Sequence, residues 1–264
     1  MLINIYSLIK YININNVDII HSHHRYTNFL TYFVKHFVSK NRDFISTAHN
    51  IFPNFHKFGF WHKKTICVST PVEDYIASIS NCSTKVIYNS IRRKLPTVHP
   101  KKIKNKFSIA DDLVVITNIG RLTKQKSQTN IIDIIKFIEK SPRKLLSEYV
   151  VLIVGDGPEK DKINNLIIKS KLTSKIKLLG EYLDIEDILN ISDMFILTSK
   201  WEGLPLTILE ASSFELPILS TDVGGVNEVV KNNKNGFLFK ENEFDKFGNK
   251  LVSLINDKNL CTKF

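Results

Sequence analysis

The chain has 264 residues, with 37 Lys and Arg against 26 Asp and Glu for a net charge of +11, and 43% of its residues are hydrophobic. That length supports one large domain or two modest ones, each able to bury a core. With only 10 Gly and 8 Pro, the composition excludes a collagen-like repeat, a disordered chain and a stapled miniprotein. Cys67, Cys82 and Cys261 are odd in number, widely spaced and without a CxxC pair. They predict neither a disulfide framework nor a zinc knuckle, and they suit a reducing cytoplasm. No apolar stretch reaches the about 18 to 20 residues of a membrane span, and the segment Met1–Ile14 carries Lys10 and lacks a small-residue cleavage site. The basic balance suits a polyanionic partner, whether nucleic acid, an anionic leaflet or a phosphorylated substrate, and equally a compositional bias toward Lys, Ile and Asn.

In chain order, a helix-like segment over 1–16 runs into apolar stretches at 17–22, 43–49, 64–69 and 85–90, with helical patterns at 26–39 and 71–80. The stretch from Arg92 to Phe107 has two prolines, many Lys and Arg and no hydrophobic period, which predicts a linker. We therefore place an N-terminal domain at 1–95, a linker at 96–110 and a C-terminal domain at 111–264. In the latter, strand-like runs at 113–120, 149–155, 175–180, 194–199 and 217–221 alternate with helical stretches at 127–140, 159–170, 184–190 and 205–214. Most of the runs are continuously apolar for four or five residues, as in a parallel sheet covered on both faces, and the alternating order predicts a doubly wound α/β architecture.

Three strand-to-helix turns carry chemistry. In SKWEGLPLTILEASSFELP, 199–217, Pro205 is expected at the first helical position. The N–H groups of Gly203 and Leu204 would then form an anion site at the carboxyl end of the sheet. Glu210, five residues past Pro205, falls roughly 7 to 8 Å further along the helix, within reach of a sugar hydroxyl. Taken alone, Glu202 and Glu210 also suit a dipole partner and a solvated helix residue. In NIGRLTKQKSQTN, 118–130, Gly120 permits a sharp turn, Arg121 offers a planar fork of donors and Lys126 a mobile charge, a combination suited to two phosphates. VGDGP at 154–158 is a third turn, and as a phosphate loop a weak signal.

Together and in this order, the turns resemble the family 4 glycosyltransferases of the GT-B fold, a large retaining group that includes many polysaccharide and lipopolysaccharide enzymes. The resemblance rests on GRLTKQK at 120–126, VGDGP at 154–158, the Glu202 and Glu210 pair in WEGLPLTILE, STDVGGVNEVV at 220–230 and NGFLF at 235–239. It implies two Rossmann-like parallel-sheet domains, the N-terminal one incomplete, since the chain begins after the expected first strand and Gly-rich loop. It further implies that Arg121 and Lys126 hold the donor diphosphate, so that no metal or cofactor is required, and that Glu202 lies near the transferred sugar. Gly203 and Leu204 would supply N–H groups, Glu210 would bind the ribose, and the turn with Tyr182 and Leu183 after Gly180 would frame the base. In the N-terminal half, His49 in STAHN resembles the histidine that reaches the donor sugar, in preference to His21 in DIIHSHH.

The expected activity is therefore transfer of a hexose-type sugar from a UDP-sugar or GDP-sugar to a glycan or lipid-linked acceptor in cell-envelope polysaccharide synthesis. The alternative is a non-catalytic nucleotide-sugar-binding remnant. Retention is expected through same-face substitution rather than through Glu202 as nucleophile. A nucleic-acid role lacks any recognisable motif. Basic charge on the N-terminal half and linker suits a cytoplasmic protein docking peripherally at the inner face of the plasma membrane.

Overall fold

The computed structural model describes residues 2–38, 41–52, 61–141 and 145–257; Cys261 lies outside them. The chain forms two compact units, one of Met1–Asn89 with Trp201–Leu204, the other of Ser90–Lys200 with Pro205–Phe264. Among the described residues, no helix is long and apolar enough to cross a membrane.

The first unit runs α1 (Leu2–Ile14), β1 (Ile19–Ser22), α2 (Arg25–Val34), β2 (Asp43–Ala48), β3 (Lys64–Cys67), α3 (Thr70–Ile79) and β4 (Ser83–Val86). Its strands form one parallel sheet in the order β1-β2-β3-β4. Ile12, Ile20 and Val34 bury the contact of α1 and α2 with the sheet. His24 opens α2 by accepting from the Tyr26 N–H through Nδ1 at 3.3 Å, while its own N–H donates to Thr27 Oγ1 at 3.0 Å. The helix stops at Val34, short of the expected 39, because His36 and Phe37 donate to carbonyls three residues back (3.1 and 2.9 Å) and tighten the chain out of the α-helix.

His62 is buried among Thr31, Ser46 and Thr65, with Nε2 2.8 Å from Thr31 Oγ1. Burial, reinforced by Lys35, lowers its pKa from 6.5 to about 4. The folded state thus refuses a proton that the unfolded chain accepts below pH 6.5. Stability is whole above that pH and declines by about 1.4 kcal/mol per unit as pH falls toward 4. Urea midpoints measured across this window are expected to drop accordingly, and His62→Gln to flatten that part of the profile.

The second unit runs α4 (Pro100–Lys106), β5 (Val114–Ile119), α5 (Thr129–Lys140), β6 (Tyr149–Val154), α6 (Lys160–Lys169), β7 (Ile176–Gly180), α7 (Ile185–Leu189), β8 (Met194–Leu197), α8 (Leu206–Ser213), β9 (Ile218–Thr221), α9 (Val226–Val229), β10 (Gly236–Phe239) and α10 (Phe244–Asn256). The six strands are parallel, in the order β10-β9-β8-β5-β6-β7. Every position of β5, β6, β8 and β9 is buried, which is why these runs do not alternate between apolar and exposed polar residues; the polar positions among them, Thr117, Asn118, Ser220 and Thr221, are buried as well. One face packs α5, α6 and α10 through Ile131, Ile135, Ile167 and Leu251, and the other packs α4, α7 and α8 through Ile103, Ile188 and Ile208. Each such side chain contributes about 1.5 to 3 kcal/mol by leaving water.

The segment expected as a linker is partly ordered structure of this second unit. Within it α4 buries Ile103 at 1% exposure. Just before α4, the buried Asp187 of α7 accepts from the Thr97 N–H at 2.7 Å, the Val98 N–H at 3.0 Å and the Thr97 hydroxyl at 3.2 Å. The contact boundary consequently falls at Asn89/Ser90 rather than near 95. Asp187→Ala strands these donors and is expected to lower stability by about 2 to 3 kcal/mol, read as a shifted urea midpoint, with Asp187→Asn milder.

Candidate functional site

The strand order of the second unit reverses between β5 and β8, and open parallel sheets bind ligands at the carboxyl ends of the strands flanking such a reversal. The loop leaving β5 carries Gly120, Arg121 and Lys126. It is fastened to the end of β8, because the Lys200 N–H donates to Gln125 O at 2.8 Å and the Thr198 hydroxyl to Ser127 O at 3.1 Å. Gln128 Nε2 donates to Arg121 O at 3.2 Å, which fixes the backbone from which the exposed guanidinium extends. The stem of Lys126 lies over Gly120, its Cε 3.7 Å from where a Cβ would stand.

Beside this loop is a pocket of about 500 Å³ lined by Gly120, Arg121, Gly155, Asp156, Glu181 and Tyr182, among others. Its lining is three strand ends joined by main-chain bonds. Gly120 donates to Val154 O at 3.0 Å, Leu122 to Asp156 O at 2.9 Å and Gly155 to Gly180 O at 2.7 Å. Gly155 is at φ +138°, and a Cβ there would collide with the Gly120 carbonyl, so no other residue fits. Asp156 accepts from Lys160 and from the Gly157 N–H, which hold its carboxyl below the usual carboxylate range. The Tyr182 ring meets Phe107 edge-on at 5.8 Å and carries the Lys106 ammonium at 4.6 Å. The end of α4 therefore positions this wall, while Leu183 is 84% exposed.

Glu210 lines a different pocket of the same unit, about 230 Å³, with Arg92, Arg93, Lys94, Glu186 and Phe214. Burial and the Glu186 charge raise its pKa, with Lys94 opposing. Pro205 is the residue before α8, with ψ 125°, and the helix begins at Leu206. The expected first-turn proline is thus one position early, because its backbone is extended.

In the first unit, Trp201–Leu204 is held by its carbonyls. The Ser69 hydroxyl donates to Gly203 O at 3.1 Å and Asn89 Nδ2 to Leu204 O at 2.9 Å. A Cβ on Gly203 would overlap the His49 carbonyl oxygen, so a glycine is needed for that approach. Glu202 is buried at 4% exposure. His49 Nε2 stands 3.1 Å from His23 Nδ1, and burial with the neighbouring His23 and His21 lowers the His49 pKa.

The structure therefore groups Gly120, Arg121, Lys126 and Tyr182 in one unit, groups His49, Gly203 and Leu204 in the other, and sets Glu210 in a pocket of its own. Sequence reasoning missed Ser69, Gln128, Asp156, Lys106 and Phe107. Among these, only the Asp156 turn had left a signal, in its flanking glycines.

Solved structures share this arrangement of strands and helices. Anabaena HepE in complex with UDP-glucose aligns with a TM-score of 0.85 at 21% identity, over 98% of this chain and 74% of that one. A glycosyltransferase from Rickettsia africae ESF-5 aligns with a TM-score of 0.77 at 22% identity, over 98% and 73%. The fold is thus the GT-B fold of glycosyltransferases. Residues 100–264 match the glycosyl transferases group 1, and the chain belongs to that family of enzymes. It is 37% identical over 165 residues to the Escherichia coli UDP-Gal:alpha-D-GlcNAc-diphosphoundecaprenol alpha-1,3-galactosyltransferase, covering 62% of this chain and 42% of that protein. It is 23% identical over 261 residues to the N-acetyl-alpha-D-glucosaminyl L-malate synthase of Bacillus anthracis, covering 93% and 67%. The chain thus spans less than half the length of the first relative.

Proposed function

We propose that the chain binds a nucleoside diphosphate sugar and transfers its hexose-type sugar, with retained configuration, to a glycan or lipid-linked acceptor of the cell envelope. The observation that carries this reading is the pocket at the carboxyl ends of β5, β6 and β7, where the Arg121 fork, the Gly155 turn and Tyr182 meet on one side of the reversal of strand order. In this reading Tyr182 and Leu183 face the base, Arg121 and Lys126 bind the diphosphate, and Glu210 serves the ribose. Glu202, Gly203, Leu204 and His49 attend the sugar. The names of the similar proteins, with UDP-galactose in one and bound UDP-glucose in another, favour a uridine donor.

The bond from the anomeric carbon to the diphosphate oxygen breaks as the bond to the acceptor oxygen forms on the same face. The acceptor proton passes to the departing phosphate, whose charge Arg121 and Lys126 stabilise. We assign the neutralisation to these side chains and not to a metal held by carboxylates. Titration calorimetry with UDP, GDP and their sugars tests the reading, alongside a transfer assay with and without EDTA. Saturable binding of one nucleotide and EDTA-insensitive transfer are expected, whereas absence of binding by every nucleotide refutes the site. The net charge of +11 supports peripheral contact with the anionic inner leaflet, for which salt-sensitive flotation with anionic liposomes is the expected result.

A further inference from the structure

The carboxyl ends of β1 and β2 bring three histidines into a row. The parallel register, Ser22 opposite Ser46, brings His23 to the level of Thr47, so that His49 follows two positions further along the neighbouring segment. His21 Nε2 lies 2.7 Å from Thr47 Oγ1. The His21 and His23 rings have centroids 4.1 Å apart, and the His23 and His49 rings are stacked at 5.4 Å with an interplanar angle of 29°. His23 Nδ1 is 3.1 Å from His49 Nε2. Both nitrogens are ring atoms, so such a bond requires a proton on one of them and a lone pair on the other.

We propose that His23 is a positioning residue for His49, fixing the tautomer and ring plane of the imidazole that faces the donor sugar. This rests on the reading of His49 given above. Two N–H groups could not point at each other across 3.1 Å, so this contact leaves one of the two facing nitrogens with a bare lone pair. The charged neighbours of His49 are His23 and His21, and His24 and Arg25 follow in the chain at the start of α2. Burial, and after it the neighbouring His23 and His21, lower the His49 pKa. The main chain supports the same geometry, since the His49 carbonyl abuts Gly203 and leaves the ring as the part still to be oriented.

The test is nitrogen NMR of histidine-labelled chain, with the His49 signals assigned through His49→Gln, combined with donor kinetics. In His23→Phe, which keeps the ring but not the nitrogen, the His49 tautomer preference is expected to vanish and its titration to move toward 6.5, the ordinary histidine value. Turnover is expected to fall about tenfold with the donor KM nearly unchanged. His23→Asn, which offers a polar atom near the position of Nδ1, is expected to restore most of both. Unchanged His49 signals in His23→Phe overturn the proposal whatever the turnover. Altered signals with full turnover overturn it as well. A chain that binds no nucleotide sugar refutes the reading beneath it, and the role of the pair in transfer with it.

Discussion

Arg121→Ala is expected to lower kcat/KM for transfer by about 10² to 10³-fold, the usual consequence of removing one preorganised contact to developing charge. Its urea midpoint is expected to stay put, because the side chain is exposed and the loop is held by main-chain and Gln128 bonds that the substitution spares. Arg121→Lys keeps the charge but not the fork that grips two phosphate oxygens, so it is expected to recover only part of the loss. Lys126→Ala is expected to act in the same direction with a smaller effect, since a point charge on a mobile stem is the more replaceable of the two. Wild-type turnover in both alanine variants would remove the diphosphate from this loop.

The second large effect is expected at Gly155. Its φ of +138° is closed to side chains, and an added methyl would strike the Gly120 backbone, which cannot rotate aside. Strain of this kind costs about 1 to 3 kcal/mol, and displacement of the Gly120 turn adds to it. Gly155→Ala is therefore expected both to lower the urea midpoint and to weaken nucleotide binding, since the atoms displaced are pocket lining. Gly180 is the control, because it also has positive φ, +73°, but open space where a Cβ would go. Gly180→Ala is expected to cost only about 1 to 2 kcal/mol and to leave affinity alone. If Gly155→Ala proves as mild as Gly180→Ala, the packing argument fails.

The second half of the chain was readable because burial on both faces leaves an unmistakable trace. TyrValValLeuIleVal at 149–154 is a strand with no polar position, and it is buried throughout. A backbone demand for glycine exists at Gly155, where φ is +138° and a Cβ would strike the Gly120 carbonyl, but not at Gly120, where a Cβ would meet only the Lys126 stem at an ordinary distance. Helix α4 was not legible, since its heptapeptide holds a single apolar side chain, Ile103, among lysines. A capping histidine and a carboxylate from α7 then complete what periodicity did not announce. Glu210 illustrates a different limit. Spacing along a helix fixes the rise but not the neighbour that shares its pocket, and here that neighbour is the Arg92–Lys94 segment. The pairing of His23 with His49 depends on strand register between segments some 26 positions apart, which no local pattern encodes.

The bonds from Gly120 to Val154 and from Gly155 to Gly180 make the mouth beside β5 a single stitched rim rather than three independent flaps. A rim of that kind has little freedom left to surrender when a guest arrives, so its selectivity resides in a shape that exists beforehand. Changing the preferred guest then calls for altering what projects from the rim, Tyr182 and Arg121, while its seams are left intact.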